Sequence, residues 1–245
     1  MISQHRDGDI AVIEIDRHER RNALDAAHCD GLRAAVREQA SAGARALVIT
    51  GAGSSFCSGA DLGGGVYDDT FRDALYAMLA AITGTAVPVI AAVNGPAIGA
   101  GAQVALACDL RVAAPAAAFA VPTARLGLAV DPWTIRRLTA LAGGATAQTL
   151  LIGCDTLDAA AALRCGLASR PGDRAAALAW ARELATLAPL TLAYSKQVLN
   201  SESEPASDPA DSELLKAYEA CWTSEDRAEG QRARADKRTP QFRGQ

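Results

Sequence analysis

The sequence predicts an α/β protein, on three observations. Short apolar strands alternate with segments of helical periodicity from residue 10 to about 113. The strands are nearly continuous in apolar residues, as strands buried on both faces of a parallel sheet are. From about residue 131 the β-branched runs stop and alanine-rich helical patterns take over.

Taken in order, 10–15 (IAVIEI) is β-branched and reads as a strand, and 25–42 carries apolar residues at helical spacing behind Asp25, a good N-cap. The run 46–50 (ALVIT) is a short buried strand ending at Gly51. The order repeats with a helix at about 71–84, a strand at 88–93, a glycine turn, a helix at 101–107 and a strand at 109–113. Helical patterns then occupy 132–142, 144–152, 158–164, 174–188, 190–200 and 211–235. The polar, proline-bearing stretch 201–211 reads as a loop ahead of a terminal helical arm. We expect a core over 1–195 and a helical oligomerisation region over 196–245.

Composition narrows the function classes. The 245 residues are 50% hydrophobic and 21% charged, enough to bury a full core. A net charge of −4 gives no basic stripe of the kind nucleic acid requires, so no nucleic-acid partner is expected. The most apolar stretch, 86–108, is broken by Pro88, Asn94 and Pro96, so an integral membrane protein is not expected either. Six cysteines are scattered without CxxC or histidine partners, which argues for inert thiols and against a metal site. With no leader pattern at the start, the reducing cytoplasm is the expected compartment.

Two glycine turns carry the candidate chemistry. FCSGADL (56–62) follows the strand at 46–50, and NGPAIGAGAQ (94–103) follows the strand at 88–93. Small residues there allow a backbone to approach another object closely, and two such turns can aim two N–H groups at one oxygen. A helix starting near Gly101 adds the positive end of its dipole.

Together HERRNAL (18–24), SSFCSGADL (54–62), AVNGPAIGAG (92–101) and ALACDLRVAAPAAAFAVPTARLGL (105–128) resemble, in order and spacing, the crotonase superfamily, the enoyl-CoA hydratase/isomerase family. The resemblance runs from about residue 10 to 200 and extends to a basic tail containing phenylalanine. It implies a crotonase-like spiral of ββα units with a helical C-terminal region, assembled as a homotrimer or homohexamer. It also implies a coenzyme A thioester, acyl-CoA or enoyl-CoA, as ligand, with no cofactor besides.

Carried over by motif, the two oxyanion donors fall on the backbone N–H of Ala60, after Ser58-Gly59, and of Ala100, between Gly99 and Gly101. Alanine at 100 keeps the N–H, provided its φ is negative. The positions of the two glutamates that hold water in hydratases fall on Gln103 and Thr123. An amide can orient water but takes no proton near neutrality, and a threonine hydroxyl has no useful pKa, so efficient hydration is not expected. Asp131 falls where dienoyl-CoA isomerases of the family carry an aspartate, and is equally a helix N-cap before Pro132. Trp133 stands where the family often has a small residue, and either reshapes the acyl tunnel or simply packs. Arg20 and Arg21 match the strip beside the nucleotide, Asp61 and Leu62 complete the first turn, and Phe242 lies in the tail that reaches adenine in many members. The expectation is an acyl-CoA-binding member of lipid metabolism, with an isomerase using Asp131, or a weak hydratase, as the alternative.

Overall fold

In the computed structural model the described residues are 1–63, 69–200 and 212–243, the side chains of 212–215 and 217 excepted. The loop expected at 201–211 lies outside them. The main sheet has six strands, in the order β1 (Ile2–Asp7), β2 (Ile10–Ile15), β3 (Ala46–Gly51), β4 (Val89–Val93), β6 (Leu110–Ala113) and β9 (Arg170–Pro171). A second sheet joins β5 (Pro96–Ile98), β7 (Ala118–Ala120) and β8 (Leu157–Asp158). Successive turns of chain place one strand in each sheet, β4 then β5 and β6 then β7, and this is the expected spiral. The bridges Cys57↔Ala97 and Leu24↔Ala60, both parallel, carry the stack through the first glycine turn.

β2, β3, β4, β6 and β9 pair in parallel, each with the next, and both faces are covered, which is why their sequences show no clean alternation. Ala11, Ile13, Leu47, Ile49, Ala91 and Val93 point into the main core beneath α1 (Ala26–Ser41), α2 (Asp69–Gly84) and α3 (Ala100–Ala107). Their neighbours Ile10, Val12, Val48, Ile90 and Val112 pack on Ala177 and Ala181 of α7 (Arg174–Ala185). Asp25 caps α1 as expected, accepting from the His28 N–H at 2.9 Å.

The helical third comprises α4 (Pro132–Ala142), α5 (Gly144–Leu151), α6 (Ala159–Arg164), α7, α8 (Pro189–Asn200), α9 (Ser212–Thr223) and α10 (Glu225–Ala235). α8 runs across the boundary expected at 195/196. It is pinned to the core by Lys196, whose Nζ donates to Asp109 at 2.8 Å and to the Ile82 and Val87 carbonyls at 3.0 and 3.1 Å.

Several elements differ from the sequence reading, among them the short strands β7, β8 and β9, which it did not contain. β1 is a strand that periodicity did not reveal, because it is a polar edge paired antiparallel to β2. The glycine turn after β4 contains the short strand β5. The helix expected over 211–235 is broken at Ser224, whose hydroxyl caps α10 by accepting from the Arg227 N–H. Among the described residues no helix is long and apolar enough to cross a membrane. Cys29, Cys57, Cys108 and Cys154 are buried, Cys165 is half-buried and Cys221 is exposed.

Candidate functional site

The two glycine turns meet at the ends of β3 and β4. The first is held by Leu24 N–H donating to the Gly59 carbonyl at 2.8 Å and Asp61 N–H to the Leu24 carbonyl at 2.7 Å. The second is tied to the first by Ile98 N–H to the Cys57 carbonyl at 2.9 Å, and to β7 by Gly99 N–H to the Ala120 carbonyl at 2.9 Å. Gly59 (φ 105°) and Gly99 (φ 53°) take the positive φ values, so Ala60 and Ala100 keep ordinary backbone angles. The condition set for Ala100 is therefore met. A Cβ on Gly59 would lie 3.8 Å from the Ala100 nitrogen, which shows how closely the turns approach. A Cβ on Gly101 would overlap the Cys57 carbonyl oxygen, so only glycine lets α3 start there.

Among the described residues, neither the Ala60 nor the Ala100 N–H donates to a protein acceptor. Ala100 is the first residue of α3, where N–H groups have no intrahelical acceptor. Two unpaired donors beside a helix N-terminus can hold a carbonyl oxygen or the anion that develops on it. Burial pushes the Cys57 thiol beneath the first turn up to about 12, so it is no nucleophile at neutral pH.

Both turns open onto a cavity of about 330 Å³. Ser58, Gly59, Ala60, Leu62, Gly99, Ala100, Gln103 and Thr123 line it, so the structure brings together eight of the residues singled out from sequence. No carboxylate appears among its described lining residues.

Asp131 does not line the cavity but sits behind Gln103. Its Oδ1 accepts from the Thr134 N–H at 3.0 Å, capping α4, and its Oδ2 accepts from the Thr134 hydroxyl at 2.6 Å and the Gln103 amide at 2.9 Å. Desolvation raises its pKa above the usual carboxylate range, partly offset by the bonds from Thr134. Trp133 is 1% exposed and packs in the main core, away from the described cavity lining.

The residues expected on the coenzyme A side are dispersed. Arg20 and Arg21 are exposed, with their backbone against Ser58: the Ser58 N–H donates to the Arg21 carbonyl at 3.0 Å. Asp61 pairs with Arg17 at 2.8 Å; the Gly63 N–H and then Arg17 hold its carboxyl below the usual range. Phe242 is outside the described cavity lining, in a tail fastened to α10 by Glu229, which binds Arg238 and accepts from the Gln241 N–H at 2.9 Å.

The sequence reading missed part of the wall. Phe71, Leu75 and Tyr76 from α2, Trp222 from α9 and Arg234 from α10 line the cavity. Tyr76 and Tyr218 bind hydroxyl to hydroxyl at 2.9 Å across α2 and α9. α10 reaches this position by close contact with Thr123–Leu126: a Cβ on Gly127 would come within 2.6 Å of the Asp226 carbonyl oxygen, and one on Gly230 would overlap that of Leu126. Glycine at both positions was the only available signal, and it names no partner.

The profile described as enoyl-CoA hydratase/isomerase matches residues 5–245. The chain is 44% identical over 236 residues to the probable enoyl-CoA hydratase echA6 of Mycobacterium tuberculosis, covering 96% of each protein. It is 32% identical over 246 residues to the probable enoyl-CoA hydratase echA8 of the same species, covering 97% of this chain and 95% of the other. Among solved structures, carnitinyl-CoA hydratase from Mycobacterium avium superposes with a TM-score of 0.85 at 32% identity, over 100% of this chain and 98% of that one. Methylmalonyl-CoA decarboxylase shares the fold, with a TM-score of 0.90 at 24% identity over 100% and 98% of the two chains.

Proposed function

The chain belongs to the enoyl-CoA hydratase/isomerase family, and from that premise we propose that it binds fatty acyl-CoA or enoyl-CoA in lipid metabolism with hydratase activity weak or absent. The observation that carries this reading is a cavity lined by Ala60 and Ala100, whose N–H groups meet no acceptor among the described residues, with no carboxylate among its described lining residues. The donors at Ala60 and Ala100 would grip the thioester oxygen, and the apolar wall would take the acyl chain. Hydration needs groups that take and return a proton; each is worth about 10² to 10⁴ in rate, and Gln103 and Thr123 supply neither.

Calorimetry with acyl-CoA and with free CoA tests the binding claim: the acyl form should bind more tightly, and equal affinity would refute an acyl site. Crotonyl-CoA hydration should stay near background, whereas turnover of about 10 per second would refute the argument from missing carboxylates.

A second reading, an enoyl-CoA or dienoyl-CoA isomerase with Asp131 as base, has in its favour the raised proton affinity of that carboxyl. Against it, both carboxylate oxygens are already bonded and Gln103 stands in front of them. Turnover of 3-enoyl-CoA that disappears in Asp131→Asn would reverse this ranking.

The assembly we propose is a cytoplasmic homotrimer or homohexamer. Its support is the resemblance together with an apolar surface around α8, where Leu190 is 84% and Tyr194 68% exposed.

A further inference from the structure

Gln103 stands where a proton-transfer residue would be expected, and its surroundings give it a different task. Gln103, Asp131 and Thr134 form a closed triangle that is almost wholly inaccessible, at 5%, 3% and 0% exposure. The Gln103 Nε2 donates toward Asp131 Oδ2 at 2.9 Å and Thr134 Oγ at 2.8 Å, and the Thr134 hydroxyl donates to the same Oδ2 at 2.6 Å. A buried carboxylate accepts only, so it dictates which end of the amide faces it. Turning the amide over would set its oxygen against Oδ2 and leave two buried acceptors facing each other.

Only Gln103 of the three lines the cavity among the described residues. Its nitrogen is turned to the carboxylate, and no protein donor reaches its Oε1 among the described residues. The oxygen is therefore the end of the amide left for the cavity. Gln103 lies three residues beyond Ala100 on α3, and side chains so spaced are neighbours about 5–6 Å apart on a helix. A thioester oxygen held at the Ala100 N–H would thus place the first few chain carbons beside this acceptor.

We propose that Asp131 and Thr134 are positioning residues that lock Gln103 as a hydrogen-bond acceptor, so that the cavity selects acyl thioesters carrying a hydroxyl near the thioester over enoyl and saturated thioesters of equal length. The inference rests on the acyl-thioester reading above and adds to it a preference and the residues that set it. Thr123 lines the same cavity and could donate to the oxygen of that hydroxyl.

The test measures affinities of the full-length protein for chain-matched 3-hydroxyacyl-CoA, 2-enoyl-CoA and saturated acyl-CoA by calorimetry. One net hydrogen bond predicts about tenfold tighter binding of the hydroxyacyl form. The decisive readout is this ratio, which general loosening of the pocket does not set. Gln103→Leu removes the acceptor and should bring the ratio to about one. Asp131→Asn lets the amide turn and should lower the ratio. Exchange of the pair, Gln103→Glu with Asp131→Asn, returns an acceptor to the cavity while the new amide supplies the buried donor, and should restore it.

Equal wild-type affinity for the three thioesters overturns the inference and leaves the binding function standing. Failure to bind any of them overturns the function itself. A hydroxyacyl preference that survives Gln103→Leu overturns the assignment to Gln103, even if Asp131→Asn does not fold.

Discussion

At the scale of single residues, the site is governed by which neighbours Gln103 can tolerate. Restoring a glutamate there by Gln103→Glu sets two buried carboxylates at the 2.9 Å separation now occupied by an amide and a carboxylate. They cannot both ionise cheaply, so the pair should hold a proton and its folded pKa should rise above the unfolded value. The sign follows: the variant should be close to wild type in acid and lose stability, by about 2 kcal/mol, as the pH rises through that raised pKa. Thermal melts across pH 4–8 would show it, and a pH-independent difference would contradict it. Hydratase activity should therefore return better when Gln103→Glu and Thr123→Glu are joined by Asp131→Asn than without it. Gly101→Ala is the residue test of the turn: its Cβ would strike the Cys57 carbonyl. The cost should be about 3 kcal/mol with a parallel loss of acyl-CoA affinity, and a wild-type melting curve would show that the turn can yield.

At the scale of elements, the cavity depends on helices that the local sequence does not connect. α9 and α10 bring Trp222 and Arg234 to a wall that also includes both glycine turns, α2, α3 and residues from the 122–130 segment. α10 can lie that close because Gly230 has no side chain. Gly230→Ala should lift α10 and weaken acyl-CoA binding several-fold with little change in secondary structure, as read by calorimetry beside circular dichroism. Unaltered affinity would mean that α10 does not shape the site. The strands β2, β3, β4 and β6 and most helices were legible because their patterns were regular: 46–49 and 89–93 are unbroken apolar runs, and Asp25 and Asp131 mark helix starts by capping chemistry that acts within four residues. β1 was not legible, because a polar edge strand has no buried face to write a pattern. The break at Ser224 was hidden because a serine cap inside a helical pattern resembles an ordinary polar position.

At the scale of the whole molecule, α8 is held from one side and bare on the other. Lys196 ties it to Asp109 and two carbonyls, while Leu190 and Tyr194 face outward. Lys196→Met should cost about 1.5–3 kcal/mol, since it removes a charged hydrogen bond and leaves Asp109 the Val89 N–H as partner in a partly buried site. Denaturant melts measure this, and a loss under 1 kcal/mol would make the contact ornamental. If the outer surface is the subunit interface, Leu190→Glu with Tyr194→Glu should shift the protein to monomer in light scattering without lowering the helix content. A variant that stays trimeric or hexameric would place the interface elsewhere.

The sequence by itself determined the α/β class, the order of the long strands and most helices, the two glycine turns and the absence of glutamate at 103 and 123. Each of these is written in residue type at one position or in a period of a few residues. Only the tertiary structure decided that Asp131, whose capping of α4 was legible locally, stands behind Gln103, 28 positions away in the chain, as its bonding partner. It likewise decided that Trp133 turns into the core and that Trp222 and Arg234 line the cavity. Those facts depend on the distance between side chains from different turns of the spiral, and spacing along the chain carries no record of that distance.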